Sequence, residues 1–548
     1  VGCLLVLSGI LYWRSTAVRA PITHGPEQPV TVEQLAFRVA QPHCAARFLP
    51  HDLDHTTTTA DGVIRAFAAN GAGLAINDLD NDGDLDLVLG AEAGANSLLW
   101  NEGGLTFTKT TLGAGPTRAI TVIDFDGDGR RDIVLTTNRG AAQYWRNEGE
   151  RRFSRQTLPG VAAPAYALTW GDLDWDGDLD LVTASYDAGF LNDIGNEYLL
   201  RNAGGVYVYE NRRGKLRPTR LATTAQALAL ALWDLNGDGR LDIVVGNDFA
   251  LPDYVWLHAG ASVTAGWQVA EPFQRTAFST MSLDAGDINN DATPELFAAD
   301  MNPYNTAPAV LAQWLPMMNR MAQGARLVDD PQVMSNALQR YQHGGWTEVA
   351  TAHGIAATGW SWSSRFGDLD SDGFLDLYVV NGMIEAGTLA HLPDHELVEE
   401  NQVYRNDGQG NFVPMTDWGL NSTRSGRSMG LADLDGDGDL DIVVNNLRSP
   451  AQLFENQLCG GENITVQLIW QGVQNRDAIG AQVILHTDEG ELLRTVNATG
   501  GYLAGDAPLL HFGLPRQATI IQIEVIWPDQ RRSVLKIPTS TGIIQIRR

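Results

Sequence analysis

Positive charge is scarce in this chain of 548 residues: 38 lysines and arginines face 66 aspartates and glutamates, a net charge of −28. That balance argues against nucleic acid, whose phosphates require basic surfaces, and against electrostatic binding to anionic membranes. It suits a protein that collects cations. Cysteine is scarcer still. Cys3, Cys44 and Cys459 are the three, and none stands in a CxxC or CxxCH pattern, so haem attachment and thiolate zinc have no support. HExxH and a glycine-rich phosphate loop are both missing. Long apolar runs are missing too, apart from Val1–Trp13, which Arg14 closes and which is too short by itself to span a bilayer.

Residues 1–20 read as a signal peptide or N-terminal membrane anchor whose start is missing, since no methionine precedes Val1. With no second apolar stretch, the body is expected to be extracytoplasmic, whether periplasmic, cell-surface or secreted. Membrane contact is expected only through the N-terminal segment.

What the chain has in quantity is one acidic nonapeptide. "DLDNDGDLD" at Asp78 recurs as "DFDGDGRRD" at Asp124, "DLDWDGDLD" at Asp172, "DLNGDGRLD" at Asp234, "DLDSDGFLD" at Asp368 and "DLDGDGDLD" at Asp433, with a degenerate "DINNDATPE" at Asp287. Successive starts lie 46, 48, 62, 53, 81 and 65 residues apart, about the size of a four-stranded propeller blade. These loops hold 29 of the 66 acids, which leaves 37 acids against 38 basic residues elsewhere. The whole excess of negative charge therefore sits in the repeats.

The spacing dictates the chemistry. Side-chain oxygens at positions 1, 3, 5 and 9 and the backbone carbonyl of position 7 converge when position 6 turns through positive φ. Positions 1, 3, 5 and 9 are Asp78, Asp80, Asp82 and Asp86; Asp124, Asp126, Asp128 and Asp132; Asp172, Asp174, Asp176 and Asp180; Asp234, Asn236, Asp238 and Asp242; Asp287, Asn289, Asp291 and Glu295; Asp368, Asp370, Asp372 and Asp376; and Asp433, Asp435, Asp437 and Asp441. Position 7 in the six regular loops is Asp84, Arg130, Asp178, Arg240, Phe374 and Asp439. An oxygen-only cage of this kind suits Ca²⁺ better than Mg²⁺, and about five to seven ions are expected. An EF-hand is excluded, because position 12 is never glutamate and each loop runs into an apolar strand such as "LDLVLG" or "LDIVVGN".

Small apolar stretches before each loop and hairpins such as "NSLLWNEGGLTF" and "NQVYRNDGQGNF" after it read as four-stranded units. The fold class is all-β: a seven-bladed propeller with calcium loops over 44–461, a helical insertion at about 303–345, and a C-terminal β-sandwich-like domain over 462–548. Residues 21–43 read as linker. In the insertion, Leu311, Trp314, Leu315, Met318 and Met321 lie near helical spacing, as a cap on the propeller or as a partner groove. The strand-like "ARFLPHDLDHTT" before the first loop is expected to share a sheet with "AQLFENQLC" of the last unit. A Cys44–Cys459 disulfide is then expected to lock that closure, with two buried free thiols as the alternative. His51 with His55, and His391 with His395, are candidates for a transition metal or catalysis.

The motif with its flanking strand resembles the FG-GAP or VCBS repeats of integrin α-subunit propellers. "NRDAIGAQVIL" at Asn475, "GGYLAGDAPLLHFGL" at Gly500 and "IEVIWPDQRRSVL" at Ile523 resemble the ASPIC/UnbV domain, and the tandem resembles bacterial relatives of cartilage acidic protein. The resemblance implies an extracellular, calcium-binding adhesive or scaffolding protein without an agreed catalytic activity, whose partner is a protein or glycan. Two alternatives stand beside it: a carbohydrate-active enzyme using the propeller mouth, and an accessory subunit of a membrane-associated assembly.

Overall fold

A computed structural model describes residues 27–39, 44–138, 140–187, 204–249, 251–321, 330–515, 518–536 and 541–548. The expected signal or anchor, 1–20, lies outside the described residues. The fold is nearly all β. In every repeat the apolar stretch before the acidic loop and the one after it pair as antiparallel strands, Leu74–Asn77 with Asp86–Leu89 in the first case. Both strands are buried throughout, which is why they read as continuous apolar runs rather than alternating ones. Two further strands complete the unit, here Asn96–Asn101 and Phe107–Leu112, the last of them mostly exposed.

Seven sheets of this pattern follow one another. Their first strands touch in chain order, and Gly426–Ala432 of the last returns to Leu74–Asn77 of the first, which closes the ring. The seventh sheet takes its outer strand from the N-terminal side: Leu49–Thr56 pairs with Pro450–Glu455, with His51 opposite Leu453. The added strand covers what would otherwise be the open outer edge of Pro450–Glu455. Beside this seam Cys44 and Cys459 form a disulfide, with their Cα atoms 5.5 Å apart.

The long interval after the fifth loop corrects the expected insertion. Its helix is Pro308–Met321, but Ala337–Gln342 and Gly345–Glu348 are the outer strands of the fifth sheet. Trp314 and Met317 face the core, and the Trp314 ring lies 5.8 Å from that of Trp360. Leu315, expected on the apolar face, is exposed. The helix packs as a cap.

The C-terminal domain consists of two four-stranded sheets. One contains Asn463–Ile469, Leu509–Gly513 and Gly542–Arg547, and the other Gln482–Thr487, Glu491–Thr495, Ile520–Ile526 and Arg532–Leu535. Between them lie Val466, Leu468, Val483, Leu485, Ile523, Val525 and Ile544, each buried aliphatic stabilising the domain by about 1.5–3 kcal/mol. The fourth strand of the first sheet is Thr31–Leu35, paired with Gly542–Arg547, so the expected linker 21–43 includes a strand of this domain. The domain spreads over the end of the ring that carries the acidic loops, touching the loops of the second, third and sixth units through Gln474, Asn475 and Gly513.

Candidate metal centres

Each acidic loop turns twice through the left-handed region. Position 6 has φ between 84° and 100° in the six glycine-containing loops. Position 4 is left-handed as well, at Asn81, Gly127, Trp175, Gly237, Asn290, Ser371 and Gly436. The double turn brings amides onto the carboxylates that line the loop. Position 1 accepts from the amide of position 6, as in Gly83 to Asp78 Oδ2 (3.1 Å) and Gly373 to Asp368 Oδ2 (2.9 Å). Position 5 accepts from position 7, Arg130 to Asp128 Oδ1 (2.9 Å), Arg240 to Asp238 Oδ1 (2.9 Å) and Phe374 to Asp372 Oδ1 (3.0 Å). Position 9 accepts from position 2, as in Leu79 to Asp86 Oδ2 (3.0 Å).

The oxygens at positions 1, 3 and 9 then meet. In the loops starting at Asp78, Asp124, Asp172, Asp368 and Asp433, one oxygen from each of the three residues lies within 4.8 Å of the others. Asp78 Oδ1, Asp80 Oδ1, Asp174 Oδ1 and Asp370 Oδ1 are buried with no hydrogen-bond partner. Buried carboxylate oxygens without a donor are costly unless a cation faces them, and clustered hard oxygens fit Ca²⁺. The loops at Asp234 and Asp287 carry asparagine at position 3, Asn236 and Asn289, and so have one charge fewer at the focus. Asp178 and Asp439, at position 7 of the third and seventh loops, each add a buried carboxylate oxygen without a partner, whereas Asp84 in the first pairs with Arg38.

Burial pushes Asp86, Asp132, Asp368 and Asp433 up to about 7. Asp180, Asp242, Asp376 and Asp441 are raised well above the carboxylate range for the same reason, and Asp439 reaches about 11, with burial first and its neighbours Asp437 and Asp441 next. Without a cation the folded loops hold protons that the unfolded chain releases above about pH 4. That contribution to stability is full below about pH 4 and is lost as pH rises through about 7. Chelated protein should therefore melt higher at about pH 5.5 than at about pH 8. Calcium-loaded protein should do the reverse, because protons compete with the ion for the same oxygens. Scanning calorimetry at both pH values, with calcium and with EDTA, tests this. Parallel shifts in the two states would contradict it.

Two sets of residues that sequence reasoning missed organise the loops. An asparagine on the third strand donates its amide to the position-9 carboxylate: Asn101 to Asp86 (2.9 Å), and Asn147, Asn211, Asn406 and Asn456 to Asp132, Asp180, Asp376 and Asp441 (2.8 Å each). In four of these units its side-chain Nδ2 reaches the position-2 carbonyl of the preceding loop, Leu434, Leu79, Ile288 and Leu369, at 2.7–2.8 Å. In these four units one residue thus stitches two neighbouring loops together. The signal was present as the recurring aromatic-x-Asn or Asn-Glu-Gly pattern, but it reads locally as hairpin chemistry. Arginines form the second set. Arg151 Nε binds Asp80 Oδ2 (2.7 Å), Arg146 binds Asp126 and Asp128 (2.5 and 2.8 Å), and Arg405 binds Asp370 (2.5 Å) and Asp372. They hold the outer oxygens of positions 3 and 5, and at Asp80 and Asp370 the inner oxygen stays without a partner.

In the degenerate fifth loop Ala292 takes the position of the turn glycine at φ 61° and still donates to Asp287 Oδ2 (2.9 Å). A Cβ in that conformation costs about 1 kcal/mol. Glu295 accepts from Ile288 (3.2 Å) in the manner of position 9, and Arg340 Nε binds its other oxygen (2.7 Å). This loop should be the weakest calcium site, and Ala292→Gly should tighten it by up to about fivefold. Calcium titration of the variant against the parent checks this; an unchanged weakest step would contradict it.

Three of the candidate histidines take structural partners. His51 Nε2 meets Glu455 (2.7 Å), and His391 Nε2 meets the Gln313 carbonyl (2.8 Å). His55 lies between Ser97 Oγ (2.8 Å) and the Gly90 carbonyl (2.9 Å), its pKa lowered by burial to about 4.

Comparison with known families decides what these loops are. The chain carries FG-GAP-like repeats. They match over residues 78–135, 124–183, 234–298 and 394–444, and an ASPIC and UnbV domain matches over 472–548. Cartilage acidic protein 1 of Xenopus tropicalis is 33% identical over 134 residues, 23% of this chain and 20% of that one. The Mus musculus protein of the same name is 36% identical over 111 residues, 19% of this chain and 17% of that one. The chain thus spans about a fifth of the length of the curated relatives it matches. Among solved structures, a fungal alcohol oxidase of the AA5 family in complex with copper aligns over 89% of this chain and 98% of its own at a TM-score of 0.43 and 10% identity. BBS1N in complex with ARL6DN aligns over 75% and 97% at 0.39 and 9%. Likenesses this slight carry no argument here. Among the described residues no helix is long and apolar enough to cross a membrane.

Proposed function

We propose that this FG-GAP and ASPIC/UnbV chain is an exported, calcium-stapled propeller that acts by binding a protein or glycan partner, as an adhesion or scaffold module. The observation that carries the reading is the set of buried, unpartnered carboxylate oxygens in the first, third, sixth and seventh loops, which make sense as ion cages built into the fold. Extracellular calcium would keep such cages filled, and the repeat family and the cartilage acidic protein relatives point the same way.

The enzyme alternative needs titrating groups open at the propeller mouth. Tyr166, Tyr186, Tyr502, Arg118 and Arg427 do gather on the ring axis, but all are buried. Tyr502 donates to the Asn70 carbonyl (3.0 Å), Tyr186 to Asp248 (2.5 Å), and Arg427 to the carbonyls of Ala69 and Gly426 (2.7 Å each). This is how a packed plug is held, and it favours binding on outer surfaces over chemistry in the channel. The experiment is to incubate the purified chain with cell envelopes and isolated acidic and neutral polysaccharides, with calcium or EDTA. Saturable calcium-dependent retention without release of new sugar ends is expected; sustained turnover of any polysaccharide would overturn the reading.

A further inference from the structure

All seven acidic loops lie against polypeptide from outside the ring. Gln474 bridges two of them: its Nε2 donates to the carbonyls of Asp124 and Phe125 in the second, and its Oε1 accepts from the amide of Leu179 in the third (2.6 Å). Asn475 donates its amide to the Gly177 carbonyl (2.9 Å), and Asp477 pairs with Arg131 (2.9 Å). Gln530 covers Gly239 in the fourth loop, and Arg494 faces Asp287 and Asp368 in the fifth and sixth. Gly513 and Pro515 pack on the sixth. Residues 37–39, which follow the strand Thr31–Leu35, cover the seventh loop, and Arg38 reaches the first. The three stretches that resemble the ASPIC/UnbV domain are among the ones that touch the loops or the channel.

From the same domain a short hairpin enters the ring. Thr499–Gly500 and Ala504–Gly505 are its strands, and the second runs parallel to Leu74–Asn77, with Ala504 opposite Leu74. Gly501 donates to the Leu283 carbonyl (3.1 Å), Tyr502 to Ser363 Oγ (3.1 Å), and Asp506 takes both guanidinium nitrogens of Arg365 (2.6 and 3.0 Å). The hairpin therefore contacts the first, fifth and sixth blades at once, just inside the loops at Asp78, Asp287 and Asp368.

We infer that ion binding and docking of the C-terminal domain are one coupled event: the domain positions the loops through Gln474 and the channel hairpin, and filled loops hold the domain in place. The inference rests on the calcium reading above. Its physical basis is that at the second and third loops the domain holds the backbone at positions 1, 2, 6 and 8, while at the fifth and sixth Arg494 faces the position-1 carboxylates Asp287 and Asp368. Those are the segments whose conformation sets the cage. An ion that favours the caged backbone must favour the docked domain by the same factor, and the dependence is reciprocal. Gln474 and Asp506 act as positioning residues, since neither contributes an oxygen to the focus of a loop.

The test uses the full chain with Gln474→Ala and, separately, Asp506→Asn, which keeps the side-chain shape and removes the charge facing Arg365. Calcium affinity is read by competition with a chromophoric chelator. Hydrogen exchange is read at the amides of Gly501, Tyr502 and Asp506, below the melting temperature of the chelated protein. Each variant should bind calcium at least about fivefold more weakly over the affected steps. Chelation of the parent should speed exchange in the hairpin at least about tenfold, while Val483 and Ile523 inside the C-terminal domain stay protected. Ile521→Ala, on the exposed surface of that domain, should leave both readouts unchanged. If calcium binds and leaves but hairpin exchange does not respond, or if both variants bind calcium as the parent does, the coupling is refuted. A parent chain that binds no calcium refutes the calcium reading itself and the coupling with it.

Discussion

Chelation should lower the melting temperature of this protein by more than about 10 °C at neutral pH. Each site occupied at a hundredfold excess over its dissociation constant adds about 2.7 kcal/mol to the native state, and the loops are numerous. The opposing term also grows on ion removal: Asp433, Asp435, Asp437, Asp439 and Asp441 crowd one loop, and burial and mutual repulsion leave them to take up protons or push apart. The result is read by calorimetry with calcium and after verified metal removal. Readdition of calcium should restore the transition, and magnesium should restore it only weakly, since it resists giving up its waters to a large oxygen cage. An unchanged melting temperature would remove calcium from the account of the fold.

Cys459→Ser should destabilise the ring by about 2–5 kcal/mol, because the bridge to Cys44 spans 415 residues of sequence and closes the seam between the N-terminal strand and the last sheet. The loss should appear first at that seam. The hydrogen bonds joining Leu49–Thr56 to Pro450–Glu455 should exchange faster, while the inner strand Asp441–Asn446 stays protected. Cys44→Ser should behave alike, and the double variant no worse than either single one, since one bond is lost in each case. Mass spectrometry of a non-reduced digest gives the direct check; both thiols alkylated without reduction would contradict the bridge.

Much of this was legible because the loops carry their geometry locally. Nine residues with oxygens at alternate positions and a glycine at the sixth describe a cage without reference to the rest of the chain, and the apolar run that follows each one describes a buried strand. The second left-handed position escaped notice because it is filled by residues as different as Asn81, Trp175 and Ser371. Trp175 hides the pattern most, and there the Arg240 guanidinium stacks over its ring (4.0 Å). The outer strands of the fifth sheet were mistaken for insertion because "ALQRYQHGGWTE" is polar and half-exposed, as outermost propeller strands are. The seat of the C-terminal domain had no local signature at all. Gln474 and Asp124 are 350 residues apart, and nothing in the periodicity around either one announces the other.

On the proposed reading, the repeat loops are ion cages on which the C-terminal domain sits. A crystal structure of calcium-grown protein with anomalous difference maps tests it most directly. Strong peaks are expected inside the loops at Asp78, Asp124, Asp172, Asp368 and Asp433, a weaker one at Asp234 and the weakest at Asp287, all beneath the C-terminal domain. Maps with no peak at these loops, or with ions held by loops from which the domain has moved away, would contradict it.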